Sequence, residues 1–274
     1  MLIGILVWTV AGSVALQAED THWHWSVDWR SASLEMQAER RIEGDDVGAY
    51  NRAARAIASE AEHVWIEAVR SIQLDTGQQI ADIIARHPEA VTDLRGRFHV
   101  SHTAGSSPDR DVSHVRQSWR IELHEAVLPV VADHDIPRPL PLPVSWQAER
   151  SYTGLVIDAR GRLPVHGTTE RESLRPILLP RIYDEAMNLV LASEMMNPQY
   201  LHRWGVIGYS DDVSFETHRD RIGNNPLVVA ADALFGRIPA HILIPRDAAE
   251  TLLLHTDNTT ILTEGRIIVL VDHL

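Results

Sequence analysis

The stretch Tyr152–Glu185, YTGLVIDARGRLPVHGTTERESLRPILLPRIYDE, decides how the chain is read. It holds two short apolar runs, Leu155-Val156-Ile157 and Ile177-Leu178-Leu179. Each stops at charge, first at Asp158-Ala159-Arg160-Gly161 and then at Pro180-Arg181-Ile182-Tyr183-Asp184. A brief apolar run that halts at glycine and charged residues has the form of a buried strand entering a loop. Downstream, Leu189-Val190-Leu191 reads as the second arm of a hairpin, and Trp204–Tyr209 as a further strand. Pro226–Ala231 is continuously apolar, the pattern of a strand covered on both faces. Ile242-Leu243-Ile244 leads into a helix opened by Pro245, and Arg266–Asp272 closes the chain as a strand. Residues 152–274 are therefore expected to form a mixed α/β domain.

Upstream of this stretch, Pro137, Pro139, Pro141 and Pro143 alternate with other residues. Alternating proline excludes a helix and favours an extended spacer, so a linker and domain boundary are placed at 133–151. A proline-rich docking peptide is the alternative reading. Before it, residues 47–132 carry an α+β layer. Tyr50, Ala54, Ile57, Ala61, Val64, Trp65, Ala68 and Ile72 make one stripe on a 3.6-residue period, with Asp45 and Asp46 placed as caps. Thr76-Gly77-Gln78-Gln79 has the form of a capping box opening a second helix. Gly96 is expected to stop a short third helix. Phe98 and Val100 then begin a strand, Thr103–Asp111 is a turn, and Val115, Trp119 and Ile121 line one side of a following strand. Residues 19–46 read as an irregular arm in which Trp23 and Trp25 alternate with His22 and His24, a short strand or an extended segment that lays tryptophan on the domain or on a partner.

The first eighteen residues, MLIGILVWTVAGSVALQA, are apolar, end in small residues and give way to Glu19-Asp20. This is the layout of a secretory signal, with an uncleaved membrane anchor as the alternative. The mature chain is thus expected in the periplasm or at the outer membrane, with no membrane span after signal removal. Lys+Arg 25 against Asp+Glu 38 gives 25 − 38 = −13, which argues against nucleic acid as a partner. All the basic residues are arginine. The absence of cysteine removes disulfides, thiol catalysis and cysteine-based zinc sites.

Motifs that would name a reaction are missing. Gly208-Tyr209-Ser210-Asp211-Asp212 lacks the second glycine of a nucleophile elbow, and His124-Glu125 does not continue into a zinc-protease motif. No catalytic residue, cofactor or metal is expected. The ligand or interface candidates are Asp158, Arg160, Gly161, Arg181, Tyr183, Trp23 and Trp25. Asp158 and Arg160 can serve as an acid and an anion binder at a strand end, or simply pair with each other over the turn at Gly161. Asn258-Thr259-Thr260 matches a glycosylation sequon.

Tyr152–Gly161 and Leu179–Glu185 together resemble a block in exported bacterial envelope proteins related to the FlgP/FlgT-type flagellar outer-membrane proteins. Ala49–Ile83 resembles the alanine-rich helix of that family, Asn225–Val229 with Ile244–Ala248 a later strand and helix, and Thr263–Val269 its last strand. The resemblance implies a non-enzymatic structural or assembly protein, a ring or disc component near a flagellar motor. Its partners would be copies of itself in a homo-oligomer, or another envelope or flagellar protein. The lipid-attachment cysteine of the FlgP kind is absent. The alternative function is a periplasmic protein binding a small ligand or metal at Asp158, Arg160 and Arg181 or at His22 and His24.

Overall fold

A computed structural model describes residues 21–44, 48–108, 113–141, 150–272 and 274. The proposed signal segment, the caps Asp45 and Asp46, and Pro143 lie outside these residues. The fold is mixed α/β, as the sequence predicts, and divides into two compact units: residues 1–72 with 80–131, and residues 73–79 with 132–274.

The first unit is an antiparallel sheet under helices. Strands β1 (Thr21–Asp28), β2 (Ser33–Arg41), β3 (His102–Pro108) and β4 (His114–Glu122) stand in the order β1-β2-β4-β3. Helices α1 (Ala49–Arg70), α2 (Ile80–Arg86) and α3 (Ala90–Ser101) intervene, and the short α4 (Leu123–Ala126) and α5 (Leu128–Val131) follow. The alternation in β1, β2 and β4 sends Trp23, Trp25, Leu34, Met36, Val115, Trp119 and Ile121 inward. Helix α1 meets them with Ile57, Ala61, Val64, Trp65 and Ala68; at its N-terminus the buried positions are Ala49 and Ala53, where the sequence pointed to Tyr50 and Ala54. Trp65 is fully buried, stacks on Phe98 at 6.1 Å, and donates through Nε1 to Leu94 O at 3.3 Å.

Several expectations are corrected here. The supposed irregular arm is a regular hairpin, β1–β2, because period-two tryptophans bury only when the segment pairs. Helix α3 continues through Gly96: Leu94 and Phe98 lie four residues apart on its buried side, and Gly96 occupies the exposed one. Phe98 is therefore helical. The expected turn from Thr103 is strand β3, aligned along the whole of its length with β4. Thr76 does not cap α2, which begins at Ile80.

The second unit carries two small sheets. The first, in the order β10-β14-β5-β11, is entirely parallel: β5 (Gly154–Asp158), β10 (Gly208–Ser210), β11 (Pro226–Ala230) and β14 (Ile267–Leu270). The second, in the order β12-β13-β8-β9, is mixed: β8 (Ile182–Asp184), β9 (Leu189–Leu191), β12 (Ala233–Phe235) and β13 (His241–Ile244). A two-residue pair, β6 (Leu163–Pro164) with β7 (Arg171–Glu172), lies between β5 and β8 in the chain. Helices α6 (Pro198–Trp204), α7 (Arg219–Ile222), α8 (Arg246–Leu254) and α9 (Thr256–Thr263) connect the strands. Parallel strands need such crossovers.

Strand β14 is buried at every position, and β5 from Gly154 to Ile157. Strand β11 is not the doubly covered strand its composition implied. It is the edge of its sheet, and Val228 is 52% exposed. Ile177 and Leu178 are buried and Leu179 half-buried, yet the run forms no strand, since Pro176 and Pro180 bracket it and proline cannot donate to a ladder. The run from Trp204 is likewise split: Trp204 ends α6, and the strand begins at Gly208.

Candidate functional site

The first candidate group sits where β5 ends. Asp158 accepts three hydrogen bonds from Arg160, from its amide (3.2 Å), Nε (2.8 Å) and Nη2 (2.6 Å). The Arg160 guanidinium holds the Asp158 carboxyl below the usual carboxylate range, against the opposing effect of burial. The Gly161 amide donates to Asp272 Oδ2 at 2.7 Å, tying this turn to the chain after β14. Asp158 and Arg160 thus satisfy each other over a structural turn.

Arg181 and Tyr183 belong to the other sheet, and no interaction joins them to Asp158 or Arg160 among the described residues. The three-residue corner drawn from the sequence is therefore two separate places. Around β8 the side chains converge on His241, the first residue of β13. Its Nδ1 accepts from the Arg181 amide at 3.1 Å, and its Nε2 lies 3.5 Å from Thr76 Oγ1. The rings of Tyr183 and Phe235 stand 5.9 Å and 6.3 Å from it. Burial, reinforced by the Arg181 charge, pushes His241 down to about 4, while Asp75 opposes the shift. Burial would lower Arg181 too. Its bond to Tyr183 and the carboxylates of Glu194 and Asp75 outweigh that, and its affinity for the proton is raised.

Trp23 and Trp25 face the core of the first unit. Trp23 lies 5.3 Å from Trp119 and donates through Nε1 to Glu60 Oε2 at 3.1 Å. Thr21 Oγ1 donates to Glu60 Oε1 at 3.4 Å, and Arg40 reaches the same oxygen at 3.3 Å. Both tryptophans are buried, so neither is a surface for a partner. His22 and His24 are exposed on the opposite side of β1, and no group of three His, Cys, Asp or Glu is placed to hold a metal among the described residues.

Sequence reasoning passed over Arg221, Asp184 and His241, and read Asn258 only as a sequon. Arg221 donates to three carbonyls, Gly265 O (2.8 Å), Trp204 O (2.9 Å) and Gly205 O (3.3 Å). Burial brings its guanidinium down to about 9, and the three carbonyls favour its charged form. Asn258 is fully buried; it accepts from the Tyr152 amide and donates to Arg150 O and Thr251 O. That engagement removes the sequon as a glycosylation site. Asp184 accepts from the amides of Ala186 and Asn188 and from Asn188 Nδ2, closing the β8–β9 turn. A polar residue of this kind carries no periodicity, so its signal in sequence is only its place beside a strand end.

Side-chain bonds also fix the entry to β5. Thr153 Oγ1 donates to Ile222 O at 2.7 Å and accepts from the Asn225 amide at 2.9 Å. A Cβ on Gly154 would stand 2.5 Å from Ile222 Cα, so glycine lets α7 lie against β5.

Residues 154–273 match the family model described as Treponema pallidum Tp0624, second domain. Residues 20–128 match the model described as its N-terminal domain. The chain is similar to Tp0624 in both of its units. The two Tp0624 matches keep their order and are separated by residues 129–153, which include the proline-rich stretch. No curated protein matches the chain significantly.

Proposed function

We propose that the chain is an exported, non-enzymatic assembly protein of the cell envelope that joins copies of itself, or another envelope protein, through sheet edges. The observation that carries the reading is β1. It spans eight residues, lies at a sheet edge among the described residues, and contains no proline, a residue that blunts an edge against pairing. Strand β11 offers a second edge, with Val228 outward. The groups that would suit chemistry are engaged within the chain: Asp158 with Arg160, and His241 with the Arg181 amide. Export rests on the apolar first eighteen residues. A ring or disc role beside a flagellar motor rests on the residue resemblance alone, since the Tp0624 matches name no such setting.

Light scattering on the mature protein provides the test. Species well above the monomer mass that dissociate in His24→Lys, with the fold intact by circular dichroism, support strand-edge assembly. A strict monomer at every concentration removes it. Fractionation that finds the chain in the cytosol with Met1 intact removes export.

A further inference from the structure

The strand edge that carries the assembly reading also carries His22 and His24. Two residues apart on β1, they stand on one side of the sheet, opposite the core that takes Thr21, Trp23 and Trp25. Both are exposed, and neither ring enters a hydrogen bond or ion pair among the described residues. Their neighbours across β2 on that face are Glu39 and Gln37, and Glu39 is engaged with Arg116 at 3.1 Å. Two imidazoles about 7 Å apart along a strand can share one metal ion, but they are half of a tetrahedral set. No group of three ligands completes it among the described residues of one chain.

A second copy can supply the other half. An antiparallel strand added to β1 continues the sheet only if both buried faces lie on the same side, so residues opposed across the seam are both odd or both even. With a two-fold axis beside Trp23, that residue opposes its own counterpart, and His22 of each chain opposes His24 of the other. Opposed side chains stand about 5 Å apart. The four imidazoles then form a rectangle of about 5 by 7 Å on the solvent side of the seam. Sliding the seam by two residues sets His22 against Ser26 and scatters the ligands, so a bound ion would select the register. Nitrogen donors alone suit zinc, copper or nickel and not calcium or magnesium.

We propose that His22 and His24 are half of a metal site, completed by the same two residues of a second copy paired antiparallel through β1, and that the site takes one divalent ion of the zinc class per two chains. This rests on the strand-edge reading and deepens it: backbone bonds make the contact, and the metal fixes its register.

Sedimentation equilibrium and titration calorimetry on the untagged mature protein, with zinc alone or with EDTA, test this. Zinc should tighten self-association on the order of tenfold or more, at one zinc per two chains. Both effects should be lost in His22→Gln and in His24→Gln, neutral changes on an exposed face that leave the backbone edge in place. Val228→Lys, on β11, should leave both unchanged. Association equal in zinc and EDTA overturns the metal site and leaves the strand-edge reading standing, whereas a monomer under both conditions overturns both. Zinc bound at one per chain, or zinc binding that survives both histidine substitutions, also overturns the site. In the wild-type chain cobalt(II) should give the intense visible bands of tetrahedral coordination, and the weak bands of an octahedral ion would refute it.

Discussion

The two units solve the same packing problem with different means. The first lays one long amphipathic helix on an antiparallel sheet, and its buried face is almost wholly apolar. Its charges lie outside, where Arg116 meets Glu39 at 3.1 Å and Arg120 meets Asp28 at 3.4 Å. The second has strands of five residues or fewer, and long connections between them. Those connections end in carbonyls and amides that the ladders cannot reach, so side chains reach them instead: Arg221, Asn258, Asp184, Thr153 and Tyr209. Tyr209 Oη, for example, donates to Ile177 O and accepts from the Ile177 amide, both at 3.1 Å, and burial raises its proton affinity. A unit built on periodicity tolerates polar change poorly only at its core. A unit built on short strands is also vulnerable at its polar clasps.

Substitutions can break or sharpen that contrast. The largest effect is expected in the first unit from Trp65→Ala, about 4 kcal/mol, because the site is sealed and loses both volume and the bond to Leu94. Tryptophan fluorescence during denaturation reads it well, since among the described residues Trp23, Trp25, Trp29, Trp65 and Trp119 belong to this unit and Trp204 to the other. In the second unit Arg221→Met should cost about 3 kcal/mol by stranding three carbonyls, measured as lost protection of β5 and β14 amides. A cost no greater than a surface change would mean that Arg221 is not a clasp. Asn258→Ala should follow at about 2 kcal/mol in the same measurement. The smallest effect, under about 0.5 kcal/mol, is expected for Arg116→Ala on the solvated face, with denaturation midpoints as the readout. If Arg116→Ala matched Asn258→Ala, the division of labour between the units would fail.

The contrast also explains what the sequence disclosed. The alternation in β4 and the stripe in α1 are legible because burial on one face imposes a period. Strands β5, β13 and β14 are legible because apolar runs stop at charge. Ile177–Leu179 misleads because burial and strand formation are separate events, and Pro176 and Pro180 permit the first without the second. Phe98 misleads because Gly96 is read as a stop when its neighbours at Leu94 and Phe98 sustain the helix. The proposed site fared least well. Asp158 and Arg181 look alike in sequence, one at the end of a strand and the other just before one, yet they serve different sheets. His241 was invisible, as its partners come from Thr76 and Arg181, far away along the chain.

The route of the chain through residues 73–79 bears on how the protein can be cut. The second unit includes a piece supplied from far upstream, between α1 and α2. Severing the backbone within the proline-rich segment would therefore yield a C-terminal fragment lacking that piece, with the Leu178 and Leu179 amides deprived of their acceptors. A fragment starting at residue 132 should be less soluble and less protected than the same residues in the whole chain, and a synthetic peptide covering 73–79 should restore part of the loss.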